Sequence, residues 1–276
     1  MSGAGAQPVK LLIADVDGTL VTNAKVLTDG ARRAVDRLRG AGIELAITSG
    51  RPPRGMAMLV EPLKLTTPIA AFNGGMFVHP DLTTVIEGRT LPPAAAREVL
   101  DFLLHAGLDA WVYRDTDWFI RSRQAPHVAR EQATVQFEPT VTDDLTAVLD
   151  RAVKIVGVSD DLALVARVEG ELRQRVLGHA SAARSQPYYL DVTHPDANKG
   201  MVVRFEAQTL RLPLDQIATI GDMPNDVLMF GVGGVSIAMG NASPDVRRCA
   251  RYVTTSNEEE GFAHAVDNFV IRRHAA

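Results

Sequence analysis

The sequence predicts an α/β protein: a doubly wound parallel sheet with an α+β module inserted into it. Three observations carry this. Short β-branched runs that do not alternate recur early and late in the chain. A helical apolar pattern joins the first two of them. Between the early and late runs the pattern changes to hairpins mixed with helices.

The runs are Leu11–Ala14, Ile43–Thr48, Pro68–Phe72, Ile217–Ile220 and Val235–Met239. Runs of this length without alternation read as strands buried on both faces, the signature of a parallel sheet. Thr28–Gly40 carries Ala31, Ala34, Val35 and Leu38 at helical spacing, with Thr28 or Asp29 as N-cap and Gly40 as terminator. Strand, helix and strand with short links make a βαβ unit. Further on, Ala94–His105 reads as a helix, and Ala110–Tyr113 with Trp118–Arg121 as a hairpin turning at Asp115–Asp117. A helix near Ala125–Thr134, a strand near Lys154–Val158, a helix near Leu162–Leu177 and extended segments around Ser181–Val192 follow. The expected division is therefore a discontinuous α/β domain over 1–80 and 196–276, with the α+β module at 81–195.

Composition narrows the classes. The 276 residues are 46% hydrophobic and 22% charged, with a net charge of −4, which is globular and excludes disorder or low complexity. A pI near 6.0 gives no support for a nucleic-acid binder. Cys249 is the single cysteine, so no internal disulfide forms. It reads as a helix-packing residue. No signal-like or membrane-length apolar run is visible, and a cytoplasmic location is expected. The seven histidines show no ligand spacing, and Gly231–Gly234 lacks the third glycine of a dinucleotide loop.

Four apolar runs end in a polar residue: Asp15, Ser49, Asn73 and Asp222. Ligands of open parallel sheets bind outside the carboxyl ends of the strands, so these four side chains are expected to converge. Asp15 and Asp17, two residues apart past a buried strand, repel one another unless a cation intervenes. Hard oxygen donors favour Mg²⁺.

Asp15–Leu20 resembles the first motif, DxDGT[LV], of the haloacid dehalogenase-like superfamily. Ile47–Arg51 resembles its second motif, Asn198-Lys199-Gly200 its third, and Gly221-Asp222-Met223-Pro224-Asn225-Asp226 its fourth, GDxxND. Asn73-Gly74-Gly75, Ala238–Ala242 and Thr254–Gly261 resemble the Cof-type subgroup, whose α/β cap lies between the second and third motifs. The resemblance implies a Rossmann-like core, and a cap that matches only in size and position. It spans about 11–78 and 196–268. Ser49 departs from the threonine more common in Cof-type proteins, and Thr48 is an outside candidate for the same hydroxyl.

Residue by residue, the resemblance implies Asp15 as nucleophile, forming an aspartyl-phosphate, and Asp17 as general acid/base. The Asp15 and Asp222 carboxylates and the Asp17 carbonyl would hold Mg²⁺. The Val16 and Gly50 amides, Ser49, Lys199 and Asn225 would hold phosphoryl oxygens. Asp226 would orient Lys199 or a metal-bound water, with Asn73 and Arg51 in support. Among cap residues, Arg121, His127 and Tyr188 are candidates for the leaving group. The expected activity is Mg²⁺-dependent hydrolysis of small phosphorylated metabolites, sugar phosphates foremost, by a monomer or homodimer without nucleic-acid or membrane partners. A phosphosugar mutase of the same fold is the alternative. A phospho-acceptor signalling or ligand-binding module is the alternative of another class.

Overall fold

The structure is a computed structural model describing residues 7–272. The chain divides into two compact units. One holds the segment up to Ser49, Ala57–Gly74 and the chain from Asn198; the other holds Gly50–Met56 and Gly75–Ala197.

The first unit begins with β1 (Leu11–Asp15), α1 (Asp29–Gly40), β2 (Glu44–Thr48), α2 (Ala57–Leu63) and β3 (Ile69–Ala71). Helix α1 starts where the Thr28 hydroxyl accepts the Ala31 amide at 3.0 Å, and it buries Ala31, Ala34, Val35 and Leu38. Gly40 remains helical. The chain turns out at Gly42, which takes the left-handed φ of +68° that a non-glycine residue adopts at a cost.

The second unit contributes β4 (Met76–Val78), β5 (Val85–Gly88), α3 (Pro93–His105), β6 (Asp109–Arg114), β7 (Asp117–Ile120), α4 (Val128–Val135), β8 (Thr140–Val141), β9 (Ala152–Val158), α5 (Leu162–Arg175), β10 (Ser181–Gln186) and β11 (Tyr189–Thr193). Its sheet runs β10-β11-β9-β6-β7-β8, antiparallel except for the β7–β8 pair. Strand alternation sorts the two faces. Ala110, Val112, Ile155, Leu190 and Val192 join Val99, Leu103, Val165 and Leu172 of α3 and α5 in one apolar core. Trp111, Tyr113, Trp118, Lys154, Tyr189 and Asp191 take the opposite face. There Trp111 meets Trp118 and Tyr189 edge-on, each at 5.2 Å between centroids. The hairpin turn places Asp115 at a φ of +52°.

The first unit resumes with α6 (Lys199–Leu210), β12 (Ile217–Gly221), α7 (Val227–Phe230), β13 (Val235–Ala238), α8 (Pro244–Cys249), β14 (Tyr252–Val253) and α9 (Gly261–Ala265). Its strands lie parallel in the order β14-β13-β12-β1-β2-β3. The register sets Asp15 beside Thr48, Thr48 beside Ala70, and Ala14 beside Ile220. The carboxyl ends of four strands therefore finish level with one another. Cys249 is exposed, with its thiol directed to the Asp245 carbonyl, and does not pack a helix interface. The β4–β5 hairpin and β14 were not legible in the sequence, because they are too short for a periodic signal.

Glu206, on α6, is fully buried, and neither carboxyl oxygen has a partner among the described residues. Burial pushes its pKa from 4.5 up to about 8. Below the lower value the carboxyl is neutral in both folded and unfolded chains. Between the two values the unfolded chain releases a proton that the folded one keeps, so stability falls as pH rises. Glu206→Gln is expected to melt with the parent at pH 4 and to be the more stable of the two at pH 8.5, by a few kcal/mol at most. Parallel melting curves at both pH values check this.

Candidate active site

The level carboxyl ends of β1, β2, β3 and β12 bring Asp15, Ser49, Asn73 and Asp222 to one edge of the first unit. At its centre is Lys199, the first residue of α6. The Asn198 side chain caps this helix by accepting the Met201 amide at 3.1 Å, which fixes where α6 begins. The Lys199 ammonium is buried and lies 2.5 Å from Asp15 Oδ1 and 2.6 Å from Asp226 Oδ1.

Asp226 is fully committed. It is 0% exposed; one oxygen accepts Lys199, and the other accepts the Asp222 and Met223 amides at 2.9 and 2.8 Å. It thus ties the turn after β12 to the lysine. Asp222 accepts the Thr19 hydroxyl at 3.0 Å on one oxygen and the Asn241 amide at 3.3 Å on the other. Asn241 also donates to the Gly18 carbonyl at 2.9 Å. Gly18 sits at a φ of +85°, and a Cβ there would lie 2.5 Å from Asp222 Oδ2, so no larger residue fits this turn.

Phe72, Asn73 and Gly74 occupy three consecutive left-handed positions, with φ of 52°, 56° and 95°. For a bulky residue such as Phe72 this is strained backbone, of the kind concentrated at functional sites. The twist turns the Asn73 amide onto the Ser49 carbonyl at 2.8 Å and its Oδ1 onto Asn225 Nδ2 at 3.2 Å. Ser49 is itself buried, and its amide bonds the Ala70 carbonyl at 3.0 Å. Thr48 Oγ1 is buried with no partner among the described residues.

The charges do not balance. Asp15, Asp222 and Asp226 offer carboxylate oxygens within 4.8 Å of one another, around a single ammonium. Burial disfavours the Lys199 ammonium, but Asp15 and Asp226 outweigh it and raise its pKa above the ordinary lysine value. Burial, then the Asp226 and Asp222 charges, raise the Asp15 carboxyl well above its usual range against the pull of Lys199. Burial and Asp226 lift Asp222 to about 6. With Asp226 saturated and Lys199 shared between it and Asp15, Asp15 and Asp222 remain as hard oxygen donors carrying net negative charge when ionised. This donor set fits a divalent cation of the Mg²⁺ class.

Asp17 pairs with Lys25 at 2.7 Å. Gly50 and Arg51 lie in the second unit, where Arg51 donates to the Gly55 carbonyl at 2.9 Å. His127 stacks on Tyr188 at 4.1 Å between centroids, and its Nε2 lies 2.9 Å from Asp160. Arg121 instead pairs with Asp109 at 2.8 Å. Sequence reasoning did not single out Thr19, Asn241 or Lys25 as site residues. Thr19 and Asn241 fall inside quoted motifs, and that was their signal; Lys25 had none.

A family profile of haloacid dehalogenase-like hydrolases matches residues 12–266, and the chain belongs to that family. It is a hydrolase. Among its relatives, 5-amino-6-(5-phospho-D-ribitylamino)uracil phosphatase YitU of Bacillus subtilis is 26% identical, over 94% of this chain and 97% of the other. Pyridoxal phosphate phosphatase YbhA of Escherichia coli is 25% identical, over 95% and 99%. The crystal structure of a haloacid dehalogenase-like hydrolase from Bacteroides thetaiotaomicron superposes with a TM-score of 0.86 at 27% identity, covering 94% of this chain and 98% of that one. No helix among the described residues is long and apolar enough to cross a membrane.

Millimolar Mg²⁺ is expected to raise the melting temperature at pH 7.5, through a stability gain of about 2.7 kcal/mol once the ion exceeds its dissociation constant ~100-fold. The gain should shrink as pH falls through about 6, where Asp222 takes a proton. Asp222→Asn should remove most of it. Calorimetric titration at pH 5.5 and 7.5 measures both effects, and an ion-independent melting curve at pH 7.5 would count against the assignment.

Proposed function

We propose that this chain is a Mg²⁺-dependent phosphatase of small phosphorylated metabolites, with sugar phosphates as the leading class. The carrying observation is the buried Asp15–Lys199–Asp226 triad at the strand ends, in which one carboxylate keeps an oxygen for attack beside a fixed ammonium. The relatives named above act, by their names, on a phosphoribityl uracil and on pyridoxal phosphate, both small phosphomonoesters.

In this reading Asp15 attacks phosphorus; the bond to the leaving oxygen breaks, and Asp17 gives that oxygen its proton. The aspartyl-phosphate is then hydrolysed as Asp17 accepts a proton from the attacking water. Lys199, Ser49, Asn225 and the Val16 and Gly50 amides hold the phosphoryl oxygens, where donors fixed in advance act on developing charge. Asp226 keeps Lys199 in place, with Asn73 positioning Asn225 and Arg51 supporting the segment after Ser49. The Asp15 and Asp222 carboxylates and the Asp17 carbonyl would hold Mg²⁺, which when bound neutralises charge between carboxylate and phosphate. The second unit is read as the cap that selects the leaving group, with Arg121, His127 and Tyr188 as its candidate contacts. A cytoplasmic location accords with a lone cysteine.

Phosphate release across sugar phosphates, nucleotides and pyridoxal phosphate, with and without Mg²⁺, tests the reading. Asp15→Asn is expected to lose at least ~10³-fold in kcat without losing its fold, since the nucleophile is gone. Full activity in that variant defeats the mechanism, and isomerised substrate without free phosphate marks a mutase.

A further inference from the structure

Lys25 lies outside every motif that points to the active site, and its place is built by the fold. Its ammonium is 2.7 Å from Asp17 Oδ1, with the two side chains 43% and 31% exposed. An ion pair this open contributes little by itself, because water screens it and a lysine stem loses rotamer freedom in making it. The surrounding backbone sets it apart from ordinary surface pairs.

Lys25 has a left-handed φ of +63°, which a residue bearing a Cβ adopts at a cost. The turn that imposes this is closed three ways. The Lys25 amide bonds the Thr22 carbonyl at 2.9 Å, the Thr22 amide the Val26 carbonyl at 3.0 Å, and the Val26 amide the Thr22 hydroxyl at 3.2 Å. The turn is also anchored at its root. Asn257, itself buried, donates to the Val21 carbonyl at 3.1 Å and to Asn23 Oδ1 at 3.3 Å, while the Asn23 amide bonds Glu258 at 2.6 Å. The Asn257 amide bonds Asn241 Oδ1 at 3.1 Å, and Asn241 donates to the carbonyl of Gly18, next to Asp17 in the chain. From Gly18 through Asn241, Asn257 and the turn to Lys25 and back to Asp17, the hydrogen bonds form a closed ring. The backbone on either side of the ion pair is therefore held by the same frame.

We propose that Lys25 is a positioning residue for Asp17, holding one carboxyl oxygen so that the side chain keeps a single rotamer through both proton transfers. The proposal rests on the reading of Asp17 as general acid/base. A proton passes well only along a short, aligned path to the leaving oxygen or the water, so a carboxyl oxygen held by an ammonium narrows the orientations the other oxygen can take. In the first transfer the phosphorus–oxygen bond to the leaving group breaks as Asp15 bonds to phosphorus, and the Asp17 proton goes to the departing oxygen. That proton is needed by an alkoxide and dispensable for a nitrophenolate, so the leaving group reports whether Lys25 acts through Asp17.

The test compares kcat/KM for glucose 6-phosphate and p-nitrophenyl phosphate in wild type, Lys25→Met, Lys25→Arg and Asp17→Asn at saturating Mg²⁺. Both substrates are read on one preparation, so any loss of folded protein cancels from their ratio. For Lys25→Met the alkyl ester is expected to lose about 10- to 100-fold and the aryl ester less than about threefold, with Lys25→Arg recovering most of the difference. Equal losses on the two esters, or none on either, overturn the proposal. If Asp17→Asn shows the leaving-group dependence and Lys25→Met does not, the acid/base reading stands and Lys25 is a surface pair. If Asp17→Asn is fully active on the alkyl ester, the acid/base reading itself fails.

Discussion

The structure depends on how a buried ammonium is shared. Lys199 enters the site as the first residue of a helix and meets two carboxylates far apart in sequence, Asp15 at the end of β1 and Asp226 in the turn after β12. Removing charges from water costs more than a single pair recovers unless the remaining hydrogen-bonding capacity is filled. Asp226 fills it, spending one oxygen on Lys199 and the other on two backbone amides of the turn that carries Asp222. Its position thereby sets both the lysine and the neighbouring carboxylate. One ammonium among three carboxylates leaves net negative charge when Asp15 and Asp222 are ionised, and that imbalance suits the site to a cation.

Around this centre the backbone adopts conformations that only small or well-supported residues accept. Gly18 yields the space that Asp222 fills, and Phe72–Gly74 follow a left-handed path to bring Asn73 to Asn225. Such segments are the part of a fold least explained by burial. The parallel sheet supplies the rigidity that holds them, since its strands are covered on both faces and locked in register.

Much of this was legible in the sequence, and the reasons are local. The β-branched runs announced the sheet, and the polar residues ending them announced the edge where Asp15, Ser49, Asn73 and Asp222 finish level. What the sequence withheld depends on tertiary register. Thr19 bonds Asp222 across 203 positions, and Asn241 reaches Gly18 across 223, so no spacing rule finds either contact. Arg121 read as a candidate leaving-group contact from its place in the inserted module; its ion pair with Asp109, on the neighbouring hairpin strand, is a tertiary contact that no local pattern shows. Cys249 read as a packing residue because nothing beside it in the sequence suggests thiolate chemistry, and the short α8 turns it outward.

The chain passes between the two units at Ser49–Gly50, Met56–Ala57, Gly74–Gly75 and Ala197–Asn198. Three of these four junctions adjoin the candidate site: one follows Ser49, one comes just after Asn73, and one precedes the cap residue of the helix that begins at Lys199. Descent with exchange of the second unit is therefore constrained at its seams. A transplanted unit can differ freely in its interior, but three of its four ends must be spliced within a residue or two of groups that hold the site together. Variation in specificity is accordingly expected to accumulate inside the inserted segment and to stop abruptly at its borders.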